Sequence, residues 1–103
     1  MTLSELKNRF ISKHIAYAYG GFKEITEPPH VVAIGNGTEN FYADNITYKK
    51  IQEIELVYTY IDKDEDMENK IENEILADID WKKDEEKFLS DEKVWQVSYF
   101  IKL

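Results

Sequence analysis

Strict alternation of apolar and polar positions marks two strands in this chain. In IQEIELVYTY every second residue from Ile54 to Tyr60 is aliphatic or aromatic. In EKVWQVSYFIKL the same alternation runs from Trp95 to Leu103. Because successive side chains of a strand point to opposite faces, this pattern predicts an antiparallel sheet that is covered on one side.

An apolar period of three to four residues predicts two helices. The first spans about residues 2–13, with Thr2 as N-cap and Glu5 three residues later, and its predicted apolar face consists of Leu3, Leu6, Phe10 and Ile11. The second spans about residues 64–77, and its predicted buried stripe consists of Met67, Ile71, Ile75 and Leu76. The pattern assigns Glu68, Lys70 and Glu72 to the solvent side of that second helix.

Glycine and proline divide the remaining segments. HVVAIGNGTENFYAD predicts a hairpin with strands at 31–34 and 40–43, because the glycines of 35–37 supply the positive φ angles that a tight turn needs. Residues 44–45 offer another turn before a third strand, 15–19 read as a short strand, and 79–84 as a weak extended segment. Together the elements predict a single α+β domain over 1–103, with an antiparallel or mixed sheet of about five strands and two helices packed on one face.

Composition and charge narrow the class of protein. The chain of 103 residues has 43% hydrophobic residues and no cysteine, which excludes disulfides, thiolate zinc sites and thiol catalysis. The net charge of −8 lies entirely in residues 62–93, which hold 14 of the 21 acids and six lysines. An acidic segment of this kind opposes phosphate binding, and the chain has no apolar run of the roughly 20 residues needed to cross a bilayer. We therefore expect no specific nucleic-acid recognition and no membrane partner.

The segment IDKDEDMENKIENEI admits two interpretations. Asp62, Asp64 and Asp66 alternate as the first ligands of a calcium loop do. The loop then requires Gly at its sixth position and Glu at its twelfth, where this chain has Met67 and Asn73. The same acids fit the start of a helix, where unpaired backbone N–H groups favour negative charge. The helix-start interpretation has fewer exceptions.

The chain offers little that resembles a catalytic or cofactor site. A GxSxG nucleophile turn and a GxGxxG or P-loop continuation are absent, and His14 and His30 lie on separate segments without cysteine neighbours. We expect no enzymatic activity, no cofactor, and no catalytic or metal residues. The aromatic residues are more numerous than a two-helix core requires, which leaves core packing and a protein–protein surface as alternatives.

Two runs, NFYADNITYKKIQEIELVYTYIDKDEDMENKIENEIL and SDEKVWQVSYFIKL, resemble small neck and tail proteins of long-tailed phages and prophages of Gram-positive bacteria. Such proteins pair a FYAD…Y hairpin with a strand-to-helix junction and a final strand of the form Y/WQVxY. The matching residues are 41–44, Tyr48, 55–56, 58–59, 63–64 and 96–99, and Val57 is an additional residue in the junction.

The resemblance implies a tail-terminator or tail-completion protein. Such a protein would form or cap a ring, expected to be a hexamer, and would join the tail-tube protein to head-connector proteins. It would act in the host cytoplasm during assembly and remain in the neck or tail of the virion. The residues expected at its assembly interfaces are Tyr42, Asp44, Tyr48, Glu53, Glu55, Tyr58 and Asp64.

A second hypothesis from the residues alone is a small acidic intracellular module, of the inhibitor or immunity type, that covers a basic partner. The acidic segment 62–93 supports this hypothesis as well as it supports a channel lining.

Overall fold

The structure is a computed structural model that describes residues 1–43 and 46–103. For residues 39–43 and 46–50 it describes the backbone alone. Its elements in chain order are α1 (Leu3–Ser12), β1 (Ala16–Tyr19), β2 (His30–Ala43), β3 (Ile46–Tyr60), α2 (Glu65–Lys70), a π-helical turn (Ile71–Ile75), β4 (Trp81–Lys83), β5 (Lys87–Leu89) and β6 (Val94–Lys102). The α+β class is confirmed. The sheet has six strands, one more than the approximate count expected from the sequence.

The sheet is mixed, and β3 lies at its centre. The strand order is β1-β2-β3-β6-β4, with β5 also paired to β6. β1 runs parallel to β2, whereas the β2–β3, β3–β6, β4–β6 and β5–β6 pairs are antiparallel. β4 and β5 lie one after the other along the same side of β6, so they form one interrupted edge of the sheet.

The first helix begins as predicted and ends close to the predicted residue. The Thr2 hydroxyl accepts a hydrogen bond from the Glu5 backbone N–H at 3.1 Å, which satisfies one of the unpaired donors of the first turn. Leu6 and Phe10 are fully buried, but Ile11 is 55% exposed. Ile11 lies about 140° around the helix from Leu6, and is therefore outside the buried stripe.

The predicted hairpin at 35–37 is wrong, because β2 runs through these residues without a turn. Gly35 pairs with Ile54 and Thr38 with Gln52, so two residues of β2 lie opposite a single residue of β3. This is a β-bulge. Gly37 lies in the bulge and has a positive φ of +92°, which glycine adopts without steric strain. Gly35 has a separate role: a Cβ atom at this position would lie 2.7 Å from the Tyr19 hydroxyl oxygen.

One face of the sheet and both helices enclose the hydrophobic core. The alternation predicted for β3 and β6 is confirmed, since their core-facing residues pair across the two strands: Tyr58 with Val97, Leu56 with Tyr99, and Ile54 with Ile101. The α1 residues Leu6 and Phe10 and the buried residues Ile71, Ile75 and Leu76 cover this face. Arg9 links the two helical segments, because its guanidinium donates to the Asp78 carboxylate and to the Ile75 carbonyl oxygen.

The Gly35–Gly37 pair supplies a test of the bulge. Gly37→Ala should lower the free energy of unfolding by about 1–2 kcal/mol, because a side chain at positive φ is sterically strained. Gly35→Ala should cost about 0.5 kcal/mol or less, because the exposed Tyr19 side chain can rotate away. Urea unfolding followed by circular dichroism measures both values. Equal losses would contradict the assignment of backbone strain to Gly37.

Candidate functional site

Asp64 begins the second helix. Its side-chain Oδ1 accepts a hydrogen bond from the Met67 backbone N–H at 3.1 Å, and Glu65, Asp66 and Glu68 lie in the first turn. These acids stabilise the partial positive charge of the helix start. The helix-start interpretation of the acidic segment is therefore confirmed. Capping by Asp64 and the helix dipole at Asp66 explain two of the three alternating aspartates.

Glu68 is buried, contrary to the solvent side expected for it. Its side chain is 5% exposed, and its two carboxylate oxygens each lie 2.7 Å from a lysine Nζ, Oε1 from Lys83 and Oε2 from Lys63. Lys63 also pairs with Glu86, and Lys83 with Glu72 at 2.8 Å. We call these residues the charged cluster: Lys63, Glu68, Glu72, Lys83 and Glu86. The cluster ties the start of α2 to the β4–β5 edge of the sheet.

Tyr99 and Tyr60 extend the charged cluster into the core. The Tyr99 hydroxyl donates to Glu72 Oε2 at 2.6 Å, and burial together with this carboxylate raises the pKa of Tyr99. Burial and the nearby Glu86 raise the pKa of Tyr60. Burial acts to raise the pKa of Glu72, but the hydrogen bonds from Lys83 and Tyr99 together hold that pKa below its ordinary value of 4.5. Glu72 thus accepts these hydrogen bonds as a charged carboxylate.

A cleft of about 350 Å³ adjoins the charged cluster. Its lining residues come from the segment before β2, the end of β3 and the start of α2: Pro28, Pro29, Tyr58, Tyr60, Ile61, Asp62, Lys63 and Asp64. Tyr58 is 1% exposed, and its hydroxyl has no hydrogen-bond partner among the described residues. Burial and then the negative charges of Asp64 and Glu68 raise the pKa of Tyr58 to about 12. We call this feature the Tyr58 cleft.

The sequence-predicted interface residues fall into three groups. Tyr42, Asp44 and Tyr48 lie outside the residues whose side chains the structure describes. Glu53 and Glu55 lie on the sheet face opposite the core, where Glu53 pairs with Lys102 at 3.9 Å and Glu55 accepts from the Ser98 hydroxyl at 2.7 Å. Tyr58 and Asp64 meet at the Tyr58 cleft. Tyr58 is 1% exposed, and it belongs to the wall of that cleft.

The aromatic residues divide between core and surface. Tyr58, Tyr60 and Tyr99 are at most 2% exposed, so for them the core-packing alternative is correct. Trp81 and Trp95 are 38% and 37% exposed, and they lie at the β4–β6 and β5–β6 pairs of the sheet. Among the described residues, exposed aromatic side chains lie at both edges of the sheet, since Tyr19 on β1 is 55% exposed.

The sheet face opposite the helices is partly apolar. It carries Val32, Ile34, Val57 and Phe100, and in the described part of the chain neither helix covers it. Ile34 is 41% exposed and Phe100 is 37% exposed. We call this surface the open face. An apolar strip on a sheet face is a common feature of surfaces that bind other proteins.

β2 and β3 continue beyond the rest of the sheet as a two-stranded arm. β1 ends opposite Ala33 of β2, and β6 ends opposite Glu53 of β3. From there to Ala43 and Ile46, the described residues add no third strand to this pair, although the Leu103 backbone N–H donates to the Gln52 carbonyl oxygen at 2.9 Å. The arm lengthens the molecule to 51 Å, compared with 28 and 27 Å in the other directions. Both of its edges carry backbone groups available for pairing with another strand.

The described residues contain neither a cluster of metal-binding side chains nor a helix that could span a membrane. Within residues 1–43 and 46–103, no three or more His, Asp or Glu side chains lie close enough together to hold a metal ion. No helix in this part of the chain combines the length and apolarity that crossing a bilayer demands.

No family model, curated protein or solved structure matches this chain. The charged cluster, the Tyr58 cleft, the open face and the arm are therefore interpreted from their own chemistry.

Glu68→Gln tests the charged cluster. The substitution removes the charge that both lysines share, and we expect it to lower the free energy of unfolding by about 2–4 kcal/mol. Glu74→Gln is the matched control, because Glu74 pairs with Lys13 at the surface with a side chain 47% exposed, and should change stability by less than about 1 kcal/mol. Thermal and urea unfolding give both values. Similar effects of the two substitutions would mean that the cluster contributes no more than a surface ion pair.

The low pKa of Glu72 predicts a loss of stability in acid. A carboxyl group with a lower pKa in the folded state than in the unfolded state stabilises the fold at pH values above its ordinary pKa, which is 4.5 for Glu72. This stabilisation is lost as the pH falls through the pKa of the folded state. The free energy of unfolding should therefore decline below about pH 4.5, and Glu72→Gln should decline less steeply. Urea titrations from neutral pH down to pH 3 measure the two slopes. Identical slopes would refute a contribution from Glu72.

Proposed function

We propose that this chain is a non-enzymatic structural protein of the phage head–tail neck, which forms or caps a ring at the end of the tail tube. The open face that continues into the two-stranded arm is the observation that carries the proposal. A ring subunit must present two different complementary surfaces to its neighbours. The arm and the open face would supply two such surfaces, and both include β2 and β3, with Phe100 of β6 completing the open face.

The arm supports assembly for an energetic reason. A two-stranded ribbon is marginally stable by itself, because it lacks the third strand or packed face that stabilises larger sheets. Beyond Glu53 the described residues supply no third strand to this ribbon. Pairing with an edge of a neighbouring subunit would satisfy its free backbone groups and bury its side chains.

The proposal gives each surface a partner. The subunit would pair with copies of itself in a hexameric ring, and the ring would contact the tail-tube protein on one side and head-connector proteins on the other. It would assemble in the host cytoplasm and remain in the neck of the virion. An acidic segment 62–93 on the channel side would repel phosphates, which would let DNA slide through.

The acidic charge also favours a second candidate function, a small intracellular inhibitor or immunity-type module that covers a basic partner. The supporting observation is local: the Tyr58 cleft and the charged cluster together bring five carboxylates close to two lysines at one end of the sheet. Such a surface would steer a positively charged protein toward it.

Oligomeric state separates the two candidates. Native mass spectrometry, light scattering and negative-stain microscopy over a range of protein concentrations should detect closed rings if the neck proposal holds. Ile34→Ser and Phe100→Ser should shift the equilibrium toward monomer, because both remove exposed apolar area from the open face. Ile25→Ser is the control, since Ile25 is fully exposed and lies outside the sheet.

Two results would contradict the neck proposal. One is a monomer at every concentration, and the other is a stable one-to-one complex with a basic protein, which would favour the second candidate. An equal effect of Ile25→Ser and Phe100→Ser on the oligomer would show that the open face is not the contact surface.

A further inference from the structure

The Tyr58 hydroxyl is an unexplained polar group. Most buried hydroxyls in proteins have a hydrogen-bond partner, because burial without one costs free energy. Tyr58 is 1% exposed, lines the cleft between the prolines and the start of α2, and has no hydrogen-bond partner among the described residues. Its ring is needed in the core, where it stacks on Tyr60 with centroids 5.0 Å apart, but its oxygen is not. The oxygen is therefore free to contact a ligand.

The charges around the Tyr58 cleft select the kind of ligand. Asp62 and Asp64 line the cleft, and the Asp64 carboxylate uses one oxygen to cap α2. The lining lysine, Lys63, is already held between the carboxylates of Glu68 and Glu86. The charged groups left to bind a ligand are thus carboxylate acceptors, and the Tyr58 hydroxyl adds a further acceptor with its lone pairs. An anion would be repelled here, whereas a cationic donor would be attracted.

We propose that the Tyr58 cleft binds a guanidinium group, such as the end of an arginine side chain. A guanidinium carries five N–H donors in a planar fork and loses less hydration than an ammonium on leaving water. Two carboxylates and a phenolic oxygen give this fork three acceptors at one site. The volume of about 350 Å³ lies within the size range of small-molecule pockets, roughly 300–1,000 Å³. The proposal does not depend on ring assembly.

Argininamide is the probe, because it has a guanidinium and no carboxylate. Citrullinamide is the matched control ligand, since it replaces the guanidinium with a neutral urea group of nearly the same shape. Chemical shifts of backbone amides in an isotope-labelled sample should change saturably with argininamide, with the largest changes in residues 58–64. The expected dissociation constant is on the order of millimolar for a single side chain. A capped Ala-Arg-Ala peptide then separates a protein-borne arginine, which it mimics, from a free guanidinium compound.

Three substitutions locate the binding. Tyr58→Phe keeps the ring and should weaken argininamide binding about tenfold by removing one hydrogen bond to a charged group. Asp62→Asn should weaken it about threefold. Asp66→Asn is the control, because Asp66 lies in the same acidic segment but does not line the cleft. Tyr58→Phe should leave the melting temperature unchanged or higher, since the lost hydroxyl has no protein partner to lose.

Three outcomes would overturn the proposal: no saturable shift with argininamide, equal binding of citrullinamide, or equal weakening by Asp62→Asn and Asp66→Asn. A lower melting temperature for Tyr58→Phe would also count against it, because the hydroxyl would then serve the fold. Binding of the tripeptide at least as tight as that of argininamide would assign the guanidinium to a partner protein. Binding of argininamide alone would assign it to a small molecule.

Discussion

A carboxylate buried within the second helix organises one end of this molecule. The Nζ atoms of Lys63 and Lys83 each lie 2.7 Å from a Glu68 carboxylate oxygen, and these two ion pairs compensate the burial of Glu68. One lysine lies between β3 and α2 and the other on β4, so the arrangement fixes α2 relative to both strands. The Tyr58 cleft lies beside this arrangement and shares Lys63 with it. The shape of the cleft therefore depends on the same ion pairs that hold the edge of the sheet.

The two ends of the sheet differ in chemistry. At one end, Lys63 and Lys83 pair with the carboxylates of the charged cluster, acidic groups remain in excess, and the Tyr58 hydroxyl has no hydrogen-bond partner among the described residues. At the other end, β2 and β3 leave the sheet as an arm to which the described residues add no third strand, beside an open face that exposes Ile34 and Phe100. The first end is suited to a small charged group, and the second to an extended protein surface. One chain could thus hold a partner side chain while it assembles with copies of itself.

Local patterns predicted most of the elements. The alternation in β3 and β6, the Thr2 cap and the helix start in the acidic segment depend on near neighbours, and the structure confirms them. The failures depend on residues far apart in sequence. Gly35–Gly37 has the composition of a turn, but the pairing of Thr38 with Gln52 makes it a bulge. Glu68 has the sequence position of a surface acid, and one of its two lysine partners, Lys83, lies on a strand that comes after the helix.

The central position of β3 has a consequence for how the chain folds. β2 and β3 are adjacent in sequence and can pair early, because closing a short connection costs little entropy. The other partner of β3 is β6, which follows a helix and two short strands and leaves the ribosome last among these elements. During synthesis the edge of β3 that pairs with β6 is therefore exposed until β6 has been synthesised. In this interval a nascent chain is most open to pairing with a neighbouring copy in the wrong register.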